Sequence, residues 1–355
     1  MKSFHIGDLN IPVPIIQGGM GVGISLSGLA AAVANMGGVG IISSVAIGLT
    51  NTESPKNYRQ KNIETLKAEI RKARKKTSGV LGVNIMTVIS DFHEMVKTSL
   101  SEGIDIIFSG AGLPLDLPKY LKPHQKTRLV PIVSSGRAAK IISQKWWQNY
   151  QYLPDAFVVE GPKAGGHLGF KEKLIDDENH DLDHLLAEVL KVSDELEREH
   201  NRKVPVIAAG GIYTGEDVHH FLKNGASAVQ LGTRFVATEE CDASPAFKEA
   251  FIKAKAKDIQ IIKSPVGLPG RTIFNDFLKN AMNGDYRPAK CKYHCIKSCN
   301  PKTTMFCIAD ALISAYNGDF AHGFAFTGSR VANINGISKV KKVFEDLISE
   351  YKQAK

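Results

Sequence analysis

The residue of this sequence that we expect to do chemistry is a histidine in a glycine-rich segment. The segment Glu160-Gly-Pro-Lys-Ala-Gly-Gly-His-Leu-Gly169 directly follows the apolar run 155–159. Glycine lets a flat ligand approach the main chain closely, and an imidazole changes its charge near neutral pH. Taken alone, the segment fits a tight turn with a surface histidine equally well. With the features described below, it predicts that chemistry takes place at His167.

Four of the five cysteines form a second candidate group: Cys291, Cys295, Cys299 and Cys307. Steps of four residues predict that the first three share one face of a helix that ends before Pro301. With the fourth cysteine they could supply four thiolates to zinc or to an iron–sulfur cluster. Their spacing matches none of the standard metal patterns. We therefore expect reduced, partly buried thiols and no bound metal.

Eight short apolar runs alternate with helical patterns and predict parallel strands. They lie at 13–17, 39–42, 80–84, 105–109, 129–133, 155–159, 205–209 and 227–231. Eight parallel βα units form a (β/α)8 TIM barrel of the α/β class, and a doubly wound open sheet is the alternative. Several runs end in glycine or in a small polar residue. In a barrel these ends meet at the rim where active sites lie, so we expect the site there.

Two pairs of small residues near the end of the predicted barrel suit phosphate binding. Gly210 and Gly211 follow the seventh strand, and Gly232 and Thr233 follow the eighth. Bare backbone N–H groups and a hydroxyl can donate to an anion near a helix N-terminus. An ordinary turn or helix cap explains either pair alone. Together, however, the two pairs lie where TIM barrels bind phosphate. The absence of a G-x-G-x-x-G or Walker A motif argues against a Rossmann or P-loop site.

Of the 355 residues, 43% are hydrophobic and 23% are charged, which is the composition of an ordinary folded protein. Segment 9–52 has no charged residue, but its glycines divide it into strand, loop, helix and strand. We therefore expect no membrane span and no secretory signal, and we place the protein in the cytoplasm. The net charge of +9 is concentrated in 56–76, where a solvated helix face is expected. No nucleic-acid motif accompanies it, so the expected partner is a small-molecule substrate.

The βα pattern stops after the eighth strand, and this divides the chain. We predict a barrel over 1–240 and a small helical cap lobe, inserted after strand eight, over 241–325. The lobe carries the cysteine cluster. Segment 326–355 should form a C-terminal helix that packs on the barrel. Its apolar residues have amphipathic helical spacing: Val340, Val343, Phe344, Leu347 and Ile348.

Five motifs occur together and in order along the chain. They are Pro14-Ile-Ile-Gln-Gly-Gly-Met20, Gly82-Val-Asn-Ile-Met86, Ala164-Gly-Gly-His-Leu-Gly169, Ala208-Ala-Gly-Gly-Ile212 and Gln230-Leu-Gly-Thr-Arg-Phe235. With these motifs the chain resembles the nitronate monooxygenase family, formerly called 2-nitropropane dioxygenases. The flavin-dependent enoyl-ACP reductases share nearly all of them. The resemblance covers roughly 11–237, and 264–280 more loosely.

The resemblance implies an FMN-dependent barrel whose flavin lies across the strand ends, with His167 matching the family's catalytic histidine. A neutral imidazole could take a proton from a carbon next to a nitro group, whereas an imidazolium could stabilise negative charge on substrate oxygens. The amide of Asn84 could equally satisfy buried backbone. The residues implied to bind FMN are Gly19, Met20 and Gly21 along the isoalloxazine, Asn84 near it, Glu160, Gly165 and Gly166 beside it, and Gly210, Gly211, Gln230, Gly232 and Thr233 at the phosphate end.

The activity that the resemblance implies is oxidation of alkyl nitronates with O2. An NAD(P)H-dependent enoyl thioester reductase is the alternative enzyme. A third hypothesis, of another class, is a non-catalytic flavin-binding subunit whose cysteine lobe mediates assembly, and a homodimer is one expected assembly. Family members often carry an acidic residue where this chain has Lys163, so the charge beside the site differs here. Sequence alone does not give the substrate or the use of NAD(P)H.

Overall fold

The structure is a computed structural model that describes residues 1–51 and 57–355. Thr52 and Lys56, which bound two segments discussed above, lie outside the described residues. The strands are β1 (Phe4–Ile6), β2 (Leu9–Ile11), β3 (Ile15–Gln17), β4 (Gly40–Ser43), β5 (Leu81–Met86), β6 (Ile106–Gly110), β7 (Arg128–Val133), β8 (Phe157–Glu160), β9 (Gly166–His167), β10 (Val206–Ala209), β11 (Ala228–Leu231), β12 (Ile259–Lys263), β13 (Pro269–Ile273) and β14 (Ala325–Phe326).

Helices follow most of the central strands, as a barrel of βα units requires. They are α1 (Ser27–Asn35), α2 (Tyr58–Lys76), α3 (Phe92–Ser101), α4 (Gly136–Tyr150), α5 (Leu182–His200), α6 (Gly215–Lys223), α7 (Thr233–Val236), α8 (Pro245–Lys253), α9 (Asp276–Asn283), α10 (Ile308–Tyr316) and α11 (Val340–Gln353). In the described ranges, none of these helices has the length and apolar character needed to cross a membrane.

Eight strands form one parallel sheet in the order β3-β11-β10-β8-β7-β6-β5-β4. A parallel bridge between Ile16 in β3 and Val39, directly before β4, joins the two ends of the sheet. Each of the eight predicted runs overlaps one of these strands. The prediction of a (β/α)8 barrel is therefore confirmed, and the alternative of an open sheet is excluded.

The barrel strands are buried on both faces, which explains why they read as continuous apolar runs. Inside the barrel, Ile41, Phe108 and Val158 pack in one cluster with the side chains of the β1–β2 hairpin. Arg128, the first residue of β7, is paired with Asp8 of this hairpin at 2.6 Å. The hairpin thus closes the amino-terminal end of the barrel and leaves the opposite rim for the site.

Residues 241–330, which we call the lobe from here on, contain helices α8, α9 and α10 and also an antiparallel sheet that the sequence analysis did not predict. Strand β13 lies between β12 and β14 and also pairs with β9. In this last pairing Gly270 faces His167 and Arg271 faces Gly166. The glycine-rich segment of the barrel is therefore tied to the lobe by backbone hydrogen bonds. Helix α11 packs against α6 and buries Phe344 and Leu347.

The helix predicted through Cys291, Cys295 and Cys299 is wrong. The chain between α9 and α10 is irregular, with a single bridge between Ile296 and Ile89. Its backbone groups form hydrogen bonds with segment 88–90 instead of with the preceding turn. The Ser90 N–H donates to the Cys295 carbonyl at 3.0 Å, and the Lys297 N–H donates to the Val88 carbonyl at 2.9 Å. Because these partners lie far away in sequence, the spacing of four residues did not reveal the backbone path.

Candidate active site

A cavity of about 270 Å³ lies at the carboxyl ends of the barrel strands. The lobe covers it with apolar side chains that include Val266, Phe326 and Leu312. Every residue that sequence analysis assigned to the site lines this cavity: Gly19, Met20, Gly21, Asn84, Glu160, Gly165, Gly166, His167, Gly210, Gly211, Gln230, Gly232 and Thr233. The fold thus brings together positions that are up to 214 residues apart in sequence, and their individual roles stay predictions.

Glycine is required where main chains meet closely at this rim. A Cβ added to Gly165 would lie 2.6 Å from the backbone nitrogen of Gly328, which no side chain tolerates. Gly210 and Gly211 have φ angles of +101° and +85°, in the region that favours glycine. These positions keep bare backbone on the cavity wall, as binding of a flat ligand needs.

His167 is held in place by its backbone and by two side chains. Its Nε2 lies 2.7 Å from Ser264 Oγ, and its ring centroid lies 4.8 Å from that of Phe326. Arg271 supports the same segment, because its guanidinium donates to the Pro162 carbonyl at 2.6 Å and to the Ala164 carbonyl at 3.2 Å. The imidazole is therefore positioned from the lobe, while part of it faces the cavity.

Burial shifts the pKa of two titratable side chains in the glycine-rich segment, Glu160 and His167. It lowers the pKa of His167 from 6.5 to about 4, so the imidazole is neutral at pH 7. It raises the pKa of Glu160 from 4.5 to about 7, so this carboxyl is partly protonated near neutrality. In its neutral form this histidine can accept a proton or donate one hydrogen bond.

Two buried polar atoms on the cavity wall have no hydrogen-bond partner among the described residues. They are Gln230 Oε1 at the end of β11 and Ser329 Oγ in the lobe. Because buried polar groups are normally paired, both atoms indicate that a polar ligand belongs here. Nearby, Gly328 N–H donates to Thr233 Oγ1 at 2.9 Å, which joins the lobe to the predicted phosphate end.

Sequence analysis missed the lobe residues of this site. Ser264 lies in the loosely resembling segment 264–280, which was the one signal that could have found it. Phe326 and Ser329 follow more than 150 residues after His167, and no motif marks them. Lys163, noted for its charge, lines the cavity and is exposed, and Arg330 lines it from the lobe. The wall therefore carries basic side chains that suit an anionic ligand.

Comparison with known proteins agrees with the resemblance indicated by the sequence motifs. The family model described as nitronate monooxygenase matches residues 2–350. A probable nitronate monooxygenase of Staphylococcus saprophyticus is 26% identical over an alignment of 294 residues, and the match covers 77% of this chain and 78% of that protein. A (3aS,4S,5R,7aS)-5-hydroxy-7a-methyl-1-oxo-octahydro-1H-indene-4-carboxyl-CoA dehydrogenase of Rhodococcus jostii is 27% identical over 75% of this chain. The matched region spans only 64% of that dehydrogenase.

Solved structures share the fold over almost the whole chain. FabK from Thermotoga maritima superposes with a TM-score of 0.73 and 29% identity, covering 97% of this chain and 94% of that chain. Nitroalkane oxidase from Streptomyces ansochromogenes has a TM-score of 0.72 at 22% identity, covering 97% of both chains, and this shows the fold alone. Together with the family match, these likenesses confirm the resemblance seen in the motifs. The chain belongs to the nitronate monooxygenase family.

Proposed function

We propose that this protein is an FMN-dependent nitronate monooxygenase that oxidises alkyl nitronates with O2. The observation that carries the proposal is the cavity at the barrel rim, where the predicted cofactor residues surround His167 in a chain of this family. The apolar side chains with which the lobe covers the cavity suit the alkyl part of such a substrate. They also keep water away from the reacting atoms.

The residues at the rim fit a flavin mononucleotide. Gly165, Gly210 and Gly211 place bare backbone on the cavity wall, where a flat ring can approach the main chain and N–H groups can donate to a phosphate. The unpartnered oxygens of Gln230 and Ser329 fit the polar edge and the phosphate or ribityl part of the same molecule. When bound, FMN supplies the two-electron redox chemistry that amino-acid side chains lack.

The role of His167 in this proposal is to hold or move a proton at the substrate. Ser264 engages Nε2 and leaves the second ring nitrogen, Nδ1, for the substrate. A neutral imidazole can take a proton from the carbon next to a nitro group, or donate a hydrogen bond to a nitronate oxygen. The ring of Phe326 packs against the imidazole and limits its tilt.

The protein is expected to purify with non-covalent FMN and not with FAD. The reason is the phosphate end of the cavity, where Gly210, Gly211, Gly232 and Thr233 meet the lobe at Gly328. Heat release followed by chromatography of the supernatant identifies the flavin. Recovery of FAD, or of no flavin after reconstitution with FMN, would contradict the cofactor assignment.

The proposed activity is tested by mixing the yellow protein anaerobically with propionate 3-nitronate and following the flavin absorbance. We expect the absorbance to bleach and to return when O2 is admitted, because a monooxygenase of this kind takes its electrons from the nitronate. NADH and NADPH are added in parallel samples. Bleaching by a nicotinamide alone, with the nitronate inert, would refute nitronate oxidation.

A second candidate is an NAD(P)H-dependent enoyl thioester reductase. The likeness to FabK at 29% identity favours it, as do the motifs shared with flavin-dependent enoyl-ACP reductases. In the site, Lys163 stands where family members often have an acid, and with Arg330 it gives the cavity two cationic side chains. Such charges suit the phosphates of a nicotinamide or of a thioester carrier. The anaerobic experiment above separates the two candidates.

A further inference from the structure

The four clustered cysteines surround a second cavity beside the candidate active site. This cavity has a volume of about 80 Å³, and Cys291, Cys295, Cys299 and Cys307 all line it. Cys295 also lines the active-site cavity. Ile296 and Ile308 also line both cavities. A single layer of side chains therefore separates the thiols from the predicted flavin site.

The cysteine cavity has room for more than one atom between the sulfurs. A single water needs only about 10–15 Å³ of such space, so the cavity is several times larger than one small ligand. Across 1–51 and 57–355, no group of three or more His, Cys, Asp or Glu side chains is arranged to hold a metal ion. A lone zinc needs four ligands around one point at about 2.3 Å. The thiolates of an iron–sulfur cluster bind different irons and so lie further apart.

A backbone donor lies beside one of the sulfurs, and a helix N-terminus lies beside another. His294 N–H donates to Cys291 Sγ at 3.2 Å. Cys307 directly precedes α10, at the end of the helix where the first backbone N–H groups have no partner within the helix. Hydrogen bonds to sulfur and a helix N-terminus both stabilise a thiolate ligand and tune an iron–sulfur cluster.

The charge of this segment is also suited to an anionic group. Between 284 and 307 there are five Lys or Arg residues against the single Asp285. A cluster held by four thiolates is negatively charged, so this excess of basic side chains offsets part of its charge. All five cysteines of the chain are free, so no disulfide competes for these thiols in the structure.

We propose that Cys291, Cys295, Cys299 and Cys307 bind one iron–sulfur cluster next to the flavin site. The expectation of metal-free thiols depended on a linear spacing that matches none of the standard metal patterns. The folded chain replaces the predicted helix with an irregular segment around a cavity, and this arrangement carries the proposal. Cluster binding does not depend on whether the oxidised substrate is a nitronate.

The test is the analysis of untagged, full-length protein purified anaerobically, with iron, acid-labile sulfide, zinc and flavin determined separately. About two to four irons and as many sulfides per chain are expected. Reduction with dithionite should then give an electron paramagnetic resonance signal that flavin does not produce. This measurement needs no variant, so it holds even if a cysteine substitution impairs folding. Flavin content is read independently, so failure of the cofactor assignment and failure of this proposal are distinguishable.

The variant Cys295→Ser/Cys299→Ser should lose iron and sulfide together. Cys241→Ser is the matched control, because Cys241 is buried elsewhere, with its Sγ 3.3 Å from the Ile24 carbonyl. The control should retain both elements. Stoichiometric zinc without sulfide would overturn the proposal, as would less than one iron per chain after anaerobic reconstitution. Equal iron in the double variant and the wild type would overturn the assignment of the ligands.

Discussion

His167→Ala is expected to lower kcat/KM by about two to four powers of ten, the usual contribution of a positioned acid or base. Flavin should stay bound and the fold should persist. The segment is held by backbone pairing with Gly270 and by Arg271, neither of which uses the imidazole. The measurements are steady-state kinetics with the physiological substrate or propionate 3-nitronate, flavin content, and the thermal midpoint of unfolding.

Two further variants show whether the loss of activity is specific to the imidazole of His167. Ser264→Ala removes the hydrogen bond to Nε2 but leaves the imidazole, so we expect a smaller loss, about fivefold to tenfold for one hydrogen bond. His5→Ala changes an exposed histidine of the β1–β2 hairpin at the opposite end of the barrel and should leave kcat/KM unchanged. Unchanged kinetics in His167→Ala would refute a direct role. Loss of flavin would make it a binding residue.

The barrel could be predicted because its strands are buried on both faces. Runs such as 205–209 are then continuously apolar, and glycines or small polar residues follow where the chain turns at the rim. The rim residues could be predicted for the same reason, because a parallel barrel brings all its strand ends to one edge. Gly210 and Gln230 thus reach one cavity with Asn84 through topology alone.

The lobe could not be predicted in the same way, because its structure depends on contacts between distant segments. Strand β9 is two residues long and exists only through its pairing with β13. Ser264 and Phe326 reach His167 from about 100 and 160 residues away, with no periodicity to mark them. The cysteine spacing misled for a related reason: steps of four residues fit a helix, but the backbone partners of this segment lie at 88–90.

The burial of Glu160 predicts a pH-dependent gain in stability for Glu160→Gln. Burial raises the pKa of this carboxyl from 4.5 to about 7, so the folded chain favours its neutral form. Its contribution to the free energy of unfolding is therefore fully present below pH 4.5 and is lost as the pH rises to 7. A shift of this size corresponds to about 3 kcal/mol. Because the amide is neutral at every pH, the variant should avoid this loss.

The difference between Glu160→Gln and wild type should thus be near zero at pH 4.5 and reach up to about 3 kcal/mol in favour of the variant above pH 7. Urea unfolding at both pH values and at equal flavin content measures it. His167 shifts stability the other way, since its pKa is lowered to about 4 and its contribution is lost as the pH falls below 6.5. That contribution is common to both proteins and cancels in the difference.

Glu197→Gln, at an exposed position of α5, should show no such dependence. A variant no more stable than wild type above pH 7 would mean that a cation or a bound ligand compensates the Glu160 carboxylate.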